Sequence, residues 1–92
     1  GQAFDFSENS LIAYADRALR AGQPDDAITW LELNLTYFPR SAPTYAALSN
    51  AQQQKKDTAG AISSLERAVA LNPDNVQLQR QLEQLRASIT GK

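Results

Sequence analysis

The side chains of this 92-residue chain that could do chemistry are serines, carboxylates, lysines and amides, because histidine and cysteine are both absent. A serine nucleophile at Ser10, Ser63 or Ser64 needs a base, and the usual imidazole is missing. The same absence removes the commonest nitrogen and sulfur ligands of a metal. Asp25 and Asp26 are adjacent carboxylates, but directly after Pro24 they read as acids at the positive end of a helix dipole. Lys55 and Lys56 read as a solvated loop. No catalytic residue, cofactor-binding residue or metal ligand emerges, and neither a cofactor nor an independent enzyme is expected.

Composition narrows the field further. The hydrophobic fraction of 42% suits one domain with a modest core that folds without disulfides or metal. Net charge is −1 and there is no dense basic run, so nucleic acid is a poor partner. No apolar run is long enough to span a bilayer. The expectation is a soluble chain, of cytoplasm or periplasm alike. It starts with Gly and holds no Met, which reads as a fragment or processed product of a larger protein.

What remains is pattern, and the pattern is helical. Ser7 is placed to cap a first helix over Glu8–Ala21, with Phe6 and Leu11 at hydrophobic-staple spacing. Its inward residues are Leu11, Tyr14, Ala15, Ala18 and Leu19, and Gly22 ends it. A second helix runs over Pro24–Tyr37, with Ala27, Ile28, Leu31 and Leu35 inward and Pro39 as its stop. Ser41 caps a third over Ala42–Lys55, with Tyr45, Leu48 and Ala51 inward and Gln52, Gln53 and Gln54 as a solvated face. Asp57 caps a fourth over Thr58–Leu71, with Ala61, Ile62, Leu65, Ala68 and Val69 inward. Asp74 or Asn75 caps a fifth over Val76–Ile89, whose single apolar line is Leu78, Leu82, Leu85 and Ile89. Short connections make neighbouring helices antiparallel hairpins.

The chain repeats itself. Ala27, Ile28, Leu31, Glu32 and Pro39 recur as Ala61, Ile62, Leu65, Glu66 and Pro73, each pair 34 residues apart, and Ala13 recurs as Ala47. A fixed period of this kind marks a stacked helical repeat. The small residues at 27 and 61 mark a close helix crossing, and the one-faced fifth helix reads as a cap that turns a polar back to water.

With this period, its small residue early in the second helix, the large apolar residue one turn on (Leu31, Leu65) and its closing proline, the chain resembles the tetratricopeptide repeat. The resemblance covers Glu8 to Asn75 as two repeats, with Leu11 and Tyr45 standing for the family's tryptophan and Ala15 and Ser49 for its glycine. It implies an all-α fold, an α-α superhelix of antiparallel hairpins with five helices. The division it implies is an N-terminal extension over 1–7, repeats over 8–41 and 42–75, and a capping helix over 76–90. The family's concave face then implies a peptide-binding surface of Asn9, Ile12, Ala13, Asp16, Leu19 and Arg20 from the first helix. Ala46, Ala47, Asn50, Gln53 and Gln54 come from the third helix, and Gln77, Arg80, Gln81 and Gln84 from the fifth. A solvated inner face is the alternative for these residues. The family's carboxylate clamp has no counterpart, since Ile12, Asp16, Ala47, Gln77 and Gln81 stand at its positions.

Trp30, Leu33 and Tyr37 form a second apolar line on the second helix, beyond what the core stripe uses, where the second repeat has Ser64, Arg67 and Leu71. Such a line on the convex face suggests an interface with a neighbouring domain or another copy of the chain. The alternative is that Phe4 and Phe6 fold back over it. Two functions follow from the resemblance. One is a protein–protein interaction scaffold within a larger, bacterial protein. The other is an accessory C-terminal domain of a bacterial serine hydrolase or esterase-like enzyme, docking on its catalytic domain or mediating oligomerisation.

Overall fold

A computed structural model describes the backbone of residues 8–90 and the side chains of residues 10–89. The expected extension over 1–7, the Ser7 cap, the Phe6 staple and the covering role of Phe4 and Phe6 lie outside the described residues, as does the side chain of Asn9. Five helices follow one another: α1 (Glu8–Arg20), α2 (Pro24–Tyr37), α3 (Ala42–Gln54), α4 (Thr58–Leu71) and α5 (Val76–Thr90). No strand occurs among the described residues. Each helix packs on the next as an antiparallel hairpin, and α1 also touches α3, so the elements form an all-α helical array.

The 34-residue period reappears in the backbone hydrogen bonds. Gln23 N donates to Ala18 O at the end of α1, and Asp57 N donates to Gln52 O at the end of α3. These are the six-to-one bonds of helix ends that turn through a left-handed residue. The left-handed residues are Gly22, with φ 77°, and Lys56, with φ 64°. The N-termini match too. Ser41 Oγ accepts from Thr44 N, and Asn75 Oδ1 accepts from Leu78 N, both at 3.2 Å. Asn75 is therefore the side chain that caps α5. Asp57 Oδ1 caps α4 by accepting from Gly60 N at 3.1 Å. A Cβ at residue 60 would collide with that carboxylate, so glycine there makes room for the cap, at some cost in helix propensity.

Two apolar clusters fill the array. The first joins Ala15, Ala27, Leu31, Leu48 and Ala51, across α1, α2 and α3. The second joins Leu65, Ala68, Leu78 and Leu82, with Tyr45 and Ala46 against it. Ala27 and Ala61 are wholly buried at the two hairpin crossings. At the second crossing Ser49 Oγ donates to Ala61 O at 2.9 Å, so its hydroxyl is satisfied across the interface.

Three expectations from the sequence are corrected. Tyr14 does not point into the core but is 46% exposed, its ring lying on Trp30 with centroids 5.4 Å apart. Ile89 is 57% exposed, because the apolar line of α5 is spent on α4 by Leu85. The glutamine run is not simply a solvated face. Gln52 Oε1 accepts from Ser64 Oγ, Gln53 Nε2 donates to Ser49 Oγ, and Gln54 Nε2 reaches back to Leu19 O. Lys55 and Lys56 are exposed in the turn after α3, and the Lys55 ammonium meets Asp25 Oδ1 there.

Candidate interaction surfaces

The amide side chains of α3 and α5 face one another across a groove. Its larger part, about 400 Å³, is lined by Ala42, Pro43, Ala46, Ala47, Asn50, Asn72, Asn75 and Leu78. A second part of about 260 Å³ is lined by Asn50, Gln53, Gln81, Gln84 and Leu85. Asn50 borders both, so the two parts adjoin on α3. The groove exists because α3 offers small residues at 42, 46 and 47 where a larger side chain would fill it. Its floor is apolar at Leu78 and Leu85, and its polar rim is uncharged. Each amide carries both a donor and an acceptor, the pairing that a peptide backbone also presents.

Of the residues expected on a concave face, Asn50, Gln53 and Gln84 meet in this groove, with Ala46, Ala47 and Gln81. The other described ones are placed elsewhere. Asp16 and Arg20 close an exposed ion pair at 2.8 Å along α1. Ile12 packs against the first core cluster, as does Leu19. Gln54 is committed to Leu19 O at 3.1 Å. Gln77 and Arg80 are exposed on α5 and do not line either part. Asn72 and Asn75 line the groove without having been expected there, because as turn residues they read only as helix punctuation.

The second surface is apolar. Trp30 is 38% exposed, Leu33 40% and Tyr37 59%. Tyr14 widens it through its ring contact with Trp30. Tyr37 also lines a pocket of about 290 Å³ with Phe38, Pro39, Arg40 and Ser41. On the second hairpin the corresponding positions differ in kind. Ser64 is buried and bonded to Gln52, and the Arg67 guanidinium lies 5.9 Å from the Tyr45 ring centroid.

Electrostatics at these surfaces is mild. Among the described residues three exposed ion pairs, Arg20–Asp16, Lys55–Asp25 and Arg86–Glu66, tie neighbouring turns or helices. The hydrogen bond to Asp25, and then its charge, raise the Lys55 pKa above its ordinary 10.5. Among the described residues no group of three or more His, Cys, Asp or Glu side chains could hold a metal, and no helix is long and apolar enough to cross a membrane.

No family model and no curated protein matches the chain. Among solved structures it is similar to the crystal structure of MamA, with a TM-score of 0.81 and 26% sequence identity. The match covers 91% of this chain and 49% of MamA, so the chain spans about half of MamA's length. Helix order, hairpin packing and this likeness together make the fold an all-α helical repeat of tetratricopeptide type.

Proposed function

We propose that this chain is a non-catalytic protein-interaction module whose α3–α5 groove takes an extended peptide by its backbone. The repeats span 8–41 and 42–75, and α5 within 76–90 is both the solvating cap and one wall of the site. The observation that carries the reading is the convergence of Asn50, Gln53, Gln81 and Gln84 around Leu85. Uncharged amides favour main-chain recognition over a terminal carboxylate or a nucleic acid phosphate. Likeness to a helical-repeat protein supports a scaffold role. Ile12, Asp16, Arg20, Gln54, Gln77 and Arg80 are not among the groove's lining residues and enter the proposal, with Asn9, only as contacts for a peptide that runs beyond it.

The test is selection from a displayed random-peptide library, followed by titration of the enriched peptides. Asn50→Ala with Gln84→Ala should weaken binding at least tenfold while leaving helicity unchanged. Peptides that bind this double variant as well as the parent would refute the groove. The exposed line of Trp30, Leu33 and Tyr37 favours a second role beside the first, docking against a neighbouring domain or another copy.

A further inference from the structure

Asp26, Trp30, Leu33 and Tyr37 fall at i, i+4, i+7 and i+11 of α2, so they share one stripe of the helix. Arg40 stands three residues beyond the helix end, exposed and bordering the same small pocket as Tyr37. The order from Asp26 to Arg40 is acid, aromatic, leucine, aromatic, base. Asp26 and Arg40 each lie seven residues from Leu33, and Trp30 and Tyr37 lie three and four residues from it. Such a stripe is complementary to its own reverse. We propose that it is a homotypic interface, in which two copies pair α2 against α2, antiparallel, about a two-fold axis beside Leu33. Leu33 then meets Leu33, each Trp30 meets the other copy's Tyr37, and each Asp26 meets the other copy's Arg40.

Three observations support a second copy as the occupant. The stripe is not a fixed feature of the repeat, since the second hairpin places Gly60, Ser64, Arg67, Leu71 and Asp74 at the matching positions, with Ser64 turned to a buried bond with Gln52. Neither Asp26 nor Arg40 forms an ion pair among the described residues, although three other acids do. The charges at the two ends have opposite sign, so a two-fold axis satisfies both pairs at once, as an isologous contact requires. One helix face is small beside a standard interface, so the dimer is weak and depends on concentration. The proposal rests on the docking reading of this line and not on the groove.

The experiment is the mass in solution of the full chain by light scattering, from low micromolar to millimolar. Emission of Trp30, the chain's single tryptophan, is followed in parallel. Mass should double and then stop, with a blue shift of Trp30 emission over the same range. Leu33→Glu, which sets two carboxylates face to face on the axis, should raise the dissociation constant at least tenfold. Asp26→Lys and Arg40→Glu should each weaken the dimer several-fold, and together restore it, because the swap regenerates both pairs. Circular dichroism checks that each variant keeps its helicity. A chain that stays monomeric throughout, grows beyond a dimer, ignores Leu33→Glu, or is weaker as the double swap than as either single overturns the proposal. Asn50→Ala with Gln84→Ala should dimerise like the parent, which separates failure here from failure of the groove.

Discussion

Gly22 and Lys56 occupy the same left-handed turn, 34 residues apart, with different side chains. Nothing lies within 4 Å of a Cβ built on Gly22, so replacing it tests backbone strain alone. Gly22→Ala should destabilise the chain by about 1 kcal/mol, and Lys56→Gly should stabilise it by about 0.5–1 kcal/mol, both read from urea unfolding. A second residue-scale feature is the buried corner between α2 and α3. Asn34 Nδ2 donates to Thr44 Oγ1 at 2.8 Å, and Ser41 Oγ lies 2.7 Å from the same oxygen. Thr44→Val keeps the shape and removes that oxygen, so it should cost about 1–3 kcal/mol in the same measurement. The Gly22 turn was legible in the sequence because glycine announces a left-handed position. The Lys56 turn was not, and it becomes visible only through the period. Asn34 was illegible because nothing local says that an asparagine on a helix meets a threonine ten residues on. The glutamines were misread for the same reason, Gln54 bonding a carbonyl 35 residues away.

At the scale of the element, helix positions were legible almost to the residue. Proline, glycine and the capping side chains act within a turn of where they stand, and short-range signals can be read locally. Burial was less legible, because it depends on how far a neighbour extends. The apolar line of α5 is the example, with Leu78 and Leu82 buried and Ile89 exposed on the same stripe. Leu82→Ala should cost about 2–5 kcal/mol, while Ile89→Ser should stay within about 0.5 kcal/mol, both followed by thermal or urea unfolding. Tyr14 shows the converse case. Its position in the second hairpin is Leu48, which is buried against the first hairpin, whereas Tyr14 is left to stack on Trp30. The stripe on α2 was seen as surplus apolar surface. Its acidic and basic ends acquired meaning once Tyr37 and Arg40 were found in one pocket.

At the scale of the whole molecule, the repeat builds two surfaces of different chemistry. The α3–α5 groove is amide-rimmed, and the α2 stripe is apolar with charged ends. This division fits a module that holds a peptide on one surface and another copy of itself on the other. The fold class followed from the 34-residue period and its anchors. The groove was half legible: its α3 and α5 amides could be assigned to a concave face, but the part played by Asn72 and Asn75 depends on how the last turn closes over α3. The most direct test of the module's function is a nitrogen–proton correlation spectrum of the labelled chain, titrated with a library-selected peptide. Asn and Gln side-chain amides give their own resonances. Saturable shifts are expected at Asn50, Gln53, Gln81 and Gln84, with the Trp30 indole unmoved. Shifts confined to Trp30 and its neighbours, with the four amides silent, would contradict the groove as the peptide site.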